Sequence, residues 1–147
     1  MSELPAAELP AAVQRLVDRA AIEQLKARYF RCVDLRRWDE LGDVFTEDAD
    51  LRAGEEHAVG REAIVALIST WLDGVRTVHH GHMPEIEFLD GDRASGVWAM
   101  FDLAERPGQP LRVGFGHYHE VYVRDRGTWR IAALRLERLR LDHLPPR

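Results

Sequence analysis

Three histidines crowd four positions, His79-His80-Gly81-His82, in a chain that has 7 in all. An imidazole titrates near neutral pH, so such a cluster is a natural source of a general base. Gly116-His117-Tyr118-His119-Glu120 adds two more. Set two apart on neighbouring strands, His80 and His82 could share a metal with His117 and His119. Otherwise each is simply hydrogen-bonded or solvated. Two acids stand out. Asp34 follows an apolar stripe that holds Tyr29 and Val33. It reads either as a helix-end acid, capping the next segment, or as a carboxylate at the mouth of a pocket. Asp102 alternates with Trp98 and Met100. An acid on a mostly apolar face is costly unless it is paired or protonated. Tyr118, Glu120 and Tyr122 share one side of a period-two segment, with Arg135 available as a counter-charge. Trp38, Trp71, Trp98 and Trp129 read as core, and Cys32 as a buried thiol.

Positioning these residues requires helices first and strands after. Pro10 suits a first helical turn. Val13, Leu16, Val17, Ile22, Leu25 and Tyr29 then recur at helical spacing to about Val33. A second helix carries Trp38, Leu41, Val44 and Phe45 and ends at Thr46-Glu47-Asp48. A weak strand over 49–53 comes next. A third helix follows Gly60, with Ile64, Leu67, Ile68 and Trp71 on one face, and stops at Asp73-Gly74. Residues 76–89, 93–105, 111–124 and 128–142 read as long strands on short turns, which favours an antiparallel meander in an α+β domain. Simple alternation sets His80 and His82 on the side of Ile86 and Phe88, with His79 opposite. A bulge near Gly81 would reverse this. In residues 94–104, Val97, Ala99, Phe101 and Leu103 could pack on the helices, while Trp98, Met100 and Asp102 line a second apolar space. Gly96, Gly114 and Gly116 would let the strands bend around it.

Composition narrows the function. The 147 residues are 46% apolar and 31% charged, an ordinary globular mix for one domain. The expected layout is a flexible arm at 1–9 and a domain at 10–144. A net charge of −5 argues against nucleic acid. The basic run Arg135–Arg140 is broken by leucines and a glutamate, so it reads as a strand with one solvated side. No apolar run approaches the length of a membrane span, and no leader is visible. With a single cysteine, this points to the cytosol. Phosphate-binding loops, dinucleotide fingerprints and nucleophile elbows are missing from the sequence.

Several segments together are similar to the SnoaL-like group of the nuclear transport factor 2-like superfamily. They are Tyr29 with Val33-Asp34-Leu35-Arg36-Arg37-Trp38-Asp39, Thr77-Val78-His79, Asp92 to Gly96, Gly116-His117-Tyr118-His119, and Gly127-Thr128-Trp129-Arg130-Ile131. The resemblance spans about Leu16 to Leu141. It implies a cone-shaped fold, a curved sheet wrapped around a pocket and closed by three N-terminal helices. Scytalone dehydratase and the bile-acid dehydratases are the nearest functional analogy. It implies a catalytic dyad of His79 as base and Asp34 as its orienting acid, with Tyr29, Asp102 and Tyr118 toward substrate. It favours His79 over His80, and so a bulge. The sequence departs from scytalone dehydratase near Ala104, where a second histidine would stand, and near Tyr118 and Glu120, where Ser and Asn would. The implied activity is a lyase or isomerase acting without cofactor or metal on an apolar oxygenated ring such as a polyketide or steroid. The alternative is a binding or dimerisation module of the same fold. A homodimer is expected through Val113, Phe115, Val121 and Val123 on the sheet exterior.

Overall fold

A computed structural model describes residues 9–146. Of the expected arm at 1–9, only Leu9 falls among them, and it opens the first helix. Ile22, Leu25, Tyr29, Cys32 and Val33 recur at helical spacing and are all buried. They fix one side of α1 (Leu9–Asp34) against the sheet. α2 (Trp38–Gly42) is a single turn, shorter than the spacing predicts. Val44 accepts a hydrogen bond from the Ile131 amide, at 2.9 Å, and Phe45 pairs with Ile131. Tertiary pairing therefore claims Phe45 and Thr46-Glu47-Asp48 for β1 (Phe45–Ala53). A short β2 (Glu56–Val59), too brief to show in the sequence pattern, turns back along β1. α3 (Arg61–Trp71) follows, and Gly74 takes the left-handed conformation (φ 66°) after it.

The meander is β3 (Arg76–Phe88), β4 (Arg93–Glu105), β5 (Leu111–Asp125) and β6 (Thr128–Leu144). Arg126 and Gly127 both have positive φ, which matches the twist of a two-residue hairpin between β5 and β6. The six strands run in the order β2-β1-β6-β5-β4-β3. β1 is parallel to β6, and every other pairing is antiparallel. This is the expected α+β cone, with the sheet curved over the helices.

The expected assignment of faces is corrected in one respect. Helices and cavity lie on the same, inner side of the sheet. Trp98, Met100, Tyr118, Tyr122, Ile131 and Leu134 are buried there with the inner face of α1. Val97, Ala99, Phe101 and Leu103 alternate to the outside, where Phe101 meets Phe115 at 5.5 Å between ring centres. Three register shifts within the antiparallel meander decide which residues turn inward. They fall between His82 and Glu85, between Phe115 and Gly116, and between Val121 and Tyr122.

Candidate active site

The shift in β3 falls at Met83-Pro84 rather than at Gly81. Proline cannot donate to the ladder, so it is a natural break in pairing. Beyond it, Ile86 and Phe88 face inward; before it, Thr77, His79 and Gly81 do. His79 is thus an inward residue, as the resemblance implied, for a reason two to three residues further along. His80 and His82 are exposed on the outer face. His119 pairs there with Glu137 at 2.7 Å, and His117 stands beside His119. Among the described residues no group of three acids, histidines or cysteines is gathered as a metal would need.

α1 delivers Asp34 to His79. The helix closes with amide bonds from Arg37 to the Cys32 carbonyl and from Arg36 to the Val33 carbonyl, and Arg36 takes the left-handed conformation (φ 60°). A non-glycine residue there is mildly strained. Its guanidinium compensates by donating to the Val33 carbonyl (2.5 Å), the Val75 carbonyl and Thr77 Oγ1 (3.1 Å). The end of α1 is thereby pinned to the start of β3. Thr77 Oγ1 donates to Asp34 Oδ1 at 2.9 Å, and the His79 amide donates to Oδ2 at 2.9 Å. His79 Nδ1 lies 2.7 Å from Oδ1. Burial works to raise the Asp34 carboxyl, but the hydrogen bonds from the His79 ring, its amide and Thr77 prevail and hold it below the ordinary aspartate value. The carboxylate is acceptor-only, so the 2.7 Å bond carries its hydrogen on Nδ1 and leaves Nε2 as the basic nitrogen.

His79 lines a cavity of about 480 Å³, within the range of small-molecule sites. Its walls are mainly apolar: Val33, Leu51, Ile68, Trp71, Leu134, Leu136 and Leu141. Ala104, also in the wall, leaves His79 as the one histidine among the lining residues. Gly81 contributes from behind, because a Cβ there would come within 2.7 Å of Phe30. Phe30 lies parallel to the His79 ring within 13° and backs it.

Tyr29, Asp102 and Tyr118 all line the cavity, as expected. Asp102 pairs directly across the strands with His79. The expected counter-charge, Arg135, is exposed instead. Arg138 takes that place, donating to both Asp102 oxygens at 2.9 and 2.6 Å. Burial works against the Arg138 charge, and the Asp102 carboxylate more than restores it. The pair lies over Gly114, where a Cβ would collide with both side-chain ends. Burial raises the hydroxyls of Tyr29 and Tyr118 above the ordinary tyrosine value. Both are therefore neutral donors at physiological pH. Arg36, Thr77, Gly114 and Arg138 are the site residues that sequence reasoning missed. Thr77 was within reach, since it stands two before His79 on one strand.

A cone of curved sheet over three helices, enclosing an apolar cavity with one histidine-carboxylate pair, defines a class of small pocket proteins. The SnoaL-like domain model matches residues 14–135, and the chain belongs to that family, within the nuclear transport factor 2-like superfamily. It is 32% identical over 131 residues to the uncharacterised protein Rv2910c of Mycobacterium tuberculosis, covering 81% of this chain and 84% of that one. It is 25% identical over 135 residues to a Gibberella zeae protein named "Probable cyclase FGR4", covering 82% and 90%. Among solved structures, a type 2 hexachlorocyclohexane dehydrochlorinase (LinA) superposes with a TM-score of 0.84 at 25% identity, over 90% of this chain and 93% of that one. A candidate scytalone dehydratase from Novosphingobium aromaticivorans superposes with 0.85 at 23%, over 92% and 93%, which is a likeness of fold.

Proposed function

We propose that this protein is a lyase or isomerase of small molecules that works without a cofactor. Its substrate in this reading is a largely apolar, oxygenated ring of the polyketide or steroid kind. One observation carries the reading: the 2.7 Å bond between His79 Nδ1 and Asp34 at the wall of a largely apolar cavity that His79 lines. His79 Nε2 takes a proton from the carbon α to a carbonyl. The C–H electrons move into the carbonyl system as an enolate, and Asp34 stabilises the imidazolium that forms. A hydroxyl of Tyr29 or Tyr118 donates to the enolate oxygen. In a dehydration the enolate electrons expel a β-hydroxyl, which leaves as water with the proton carried by His79. In an isomerisation the same proton returns to a different carbon. The Asp102–Arg138 pair offers a fixed acceptor and donor for a polar substituent. Relatives named for cyclisation and dehydrochlorination support the class of chemistry.

The test is turnover of hydroxylated cyclic ketones by the protein and by His79→Ala and Asp34→Asn. Loss in both variants is the expected result. Full turnover in either overturns the dyad. Ligand-induced thermal stabilisation with no turnover of any substrate would select the binding module instead. The same reading has the protein work as a homodimer through the sheet exterior, where Phe115 and Val121 are exposed. Light scattering of an eluting 16.8 kDa species would contradict that.

A further inference from the structure

Lys26 is the one lysine of the chain; the rest of the 20 basic residues are arginines. It is also fully buried, as is its partner Glu120. An apolar pair of the same volume serves a core at least as well as a buried ion pair, so the position calls for another reason. Its surroundings supply one. The ammonium bonds Glu120 on one side and meets ring faces on the other, 3.6 Å from the centre of Tyr118, 4.2 Å from Tyr29 and 4.7 Å from Phe30. Glu120 is anchored from behind by the Tyr122 hydroxyl, which accepts from Trp98 Nε1 at 2.7 Å. Tyr29 and Tyr118 line the cavity, whereas Lys26 does not. The amine therefore cannot reach a ligand as a nucleophile, and it acts only through the two rings.

We propose that Lys26 is a positioning residue: clamped by Glu120 against the faces of Tyr29 and Tyr118, its charge fixes both rings and polarises their hydroxyls toward an oxygen anion in the cavity. The ligand class this selects is the enolate or phenolate type. The proposal rests on the reading of the cavity given above and deepens it. Burial and Glu120 both make the tyrosine hydroxyls reluctant to share their protons. Arg138 opposes them at Tyr118, and the Lys26 ammonium lies directly against both ring faces.

Two measurements test it. With a single lysine, a protein labelled with 15N-lysine gives one side-chain signal. That signal is expected to be an ammonium at neutral pH, and a neutral amine overturns the proposal without any substitution. The second probe is 4-nitrophenol, whose phenolate absorbs in the visible. The ratio of bound phenolate to bound phenol is expected to fall about tenfold, one pKa unit, in Lys26→Met. Tyr29→Phe and Tyr118→Phe each lower the same ratio and so keep the test open if that variant does not fold. An unchanged ratio in the folded variants, or no binding to the unaltered protein at millimolar probe, overturns the proposal. The probe has no proton on carbon to lose to His79. Its result is therefore independent of whether the dyad turns over a substrate.

Discussion

Among the charged side chains that α1 sends to the sheet are Lys26 and, about two turns later, Asp34. Each meets one partner on a strand, Glu120 or His79. The partnerships differ in what lies beyond them. Lys26 and Glu120 are sealed on every side, with every polar neighbour a tyrosine or tryptophan of the protein. His79 and Asp34 keep 12% and 21% of their side chains open, and His79 lines a cavity. One helix and one sheet thus hold two similar pairs, and access alone separates a fixed electrostatic element from a group that can exchange a proton. Removing a member of the open pair should damage chemistry. Removing a member of the sealed pair should damage folding.

The sharpest way to break this contrast is His79→Gln. It is expected to lower kcat on a confirmed substrate about 10³–10⁴-fold, while urea unfolding shifts by less than about 1 kcal/mol. Equal damage to both would erase the distinction. Lys26→Met should do the opposite, costing about 3–5 kcal/mol in urea unfolding because it leaves a carboxylate buried alone. Lys26→Met/Glu120→Gln should recover most of that loss, and a double variant no more stable than the single one would show that the charge is not the cause. Gly114→Ala sharpens the picture on the open side. Its methyl collides with the Arg138 and Asp102 side-chain ends and displaces the pair. A KM increase of about tenfold with kcat held within about threefold is expected, because the pair binds rather than reacts.

The smallest effect is the pH dependence of Asp34→Asn. The folded Asp34 carboxyl sits below its ordinary value of 3.8. Its contribution is therefore complete above that value and is lost as pH falls through the depressed folded one. The native protein should exceed the variant by on the order of 1 kcal/mol near neutrality. The two thermal unfolding curves should converge in acid, and a gap that widens on acidification would reverse the assignment.

The contrast was only half legible in the sequence. Periodicity located α1, α3 and the four long strands, because an amphipathic face of 3.6 or 2.0 residues writes itself into the order of apolar side chains. Asp34 and His79 were found by resemblance, while alternation alone turned His79 outward. The flip at Met83-Pro84 is invisible to a count of two. Arg135 was misread for the same reason. Counting from Trp129 and Ile131 points it inward, but Val121 pairs with Ala133 and Tyr122 with Ile131, so the register slips at Ala132. Leu134, Leu136 and Arg138 then face in. Lys26 was missed because its partner lies 94 residues away, and a lone basic residue on a helix ordinarily reads as solvated. Bulges and distant pairings are decided by tertiary packing, which local pattern does not encode.

The central claim concerns one nitrogen. Long-range proton–nitrogen NMR of the histidine rings, assigned through His79→Gln, reads the tautomer directly. In the neutral ring, hydrogen on Nδ1 and a bare Nε2 is the result predicted by the bond to Asp34. A neutral ring with its hydrogen on Nε2 instead would leave the cavity without its base and contradict the account.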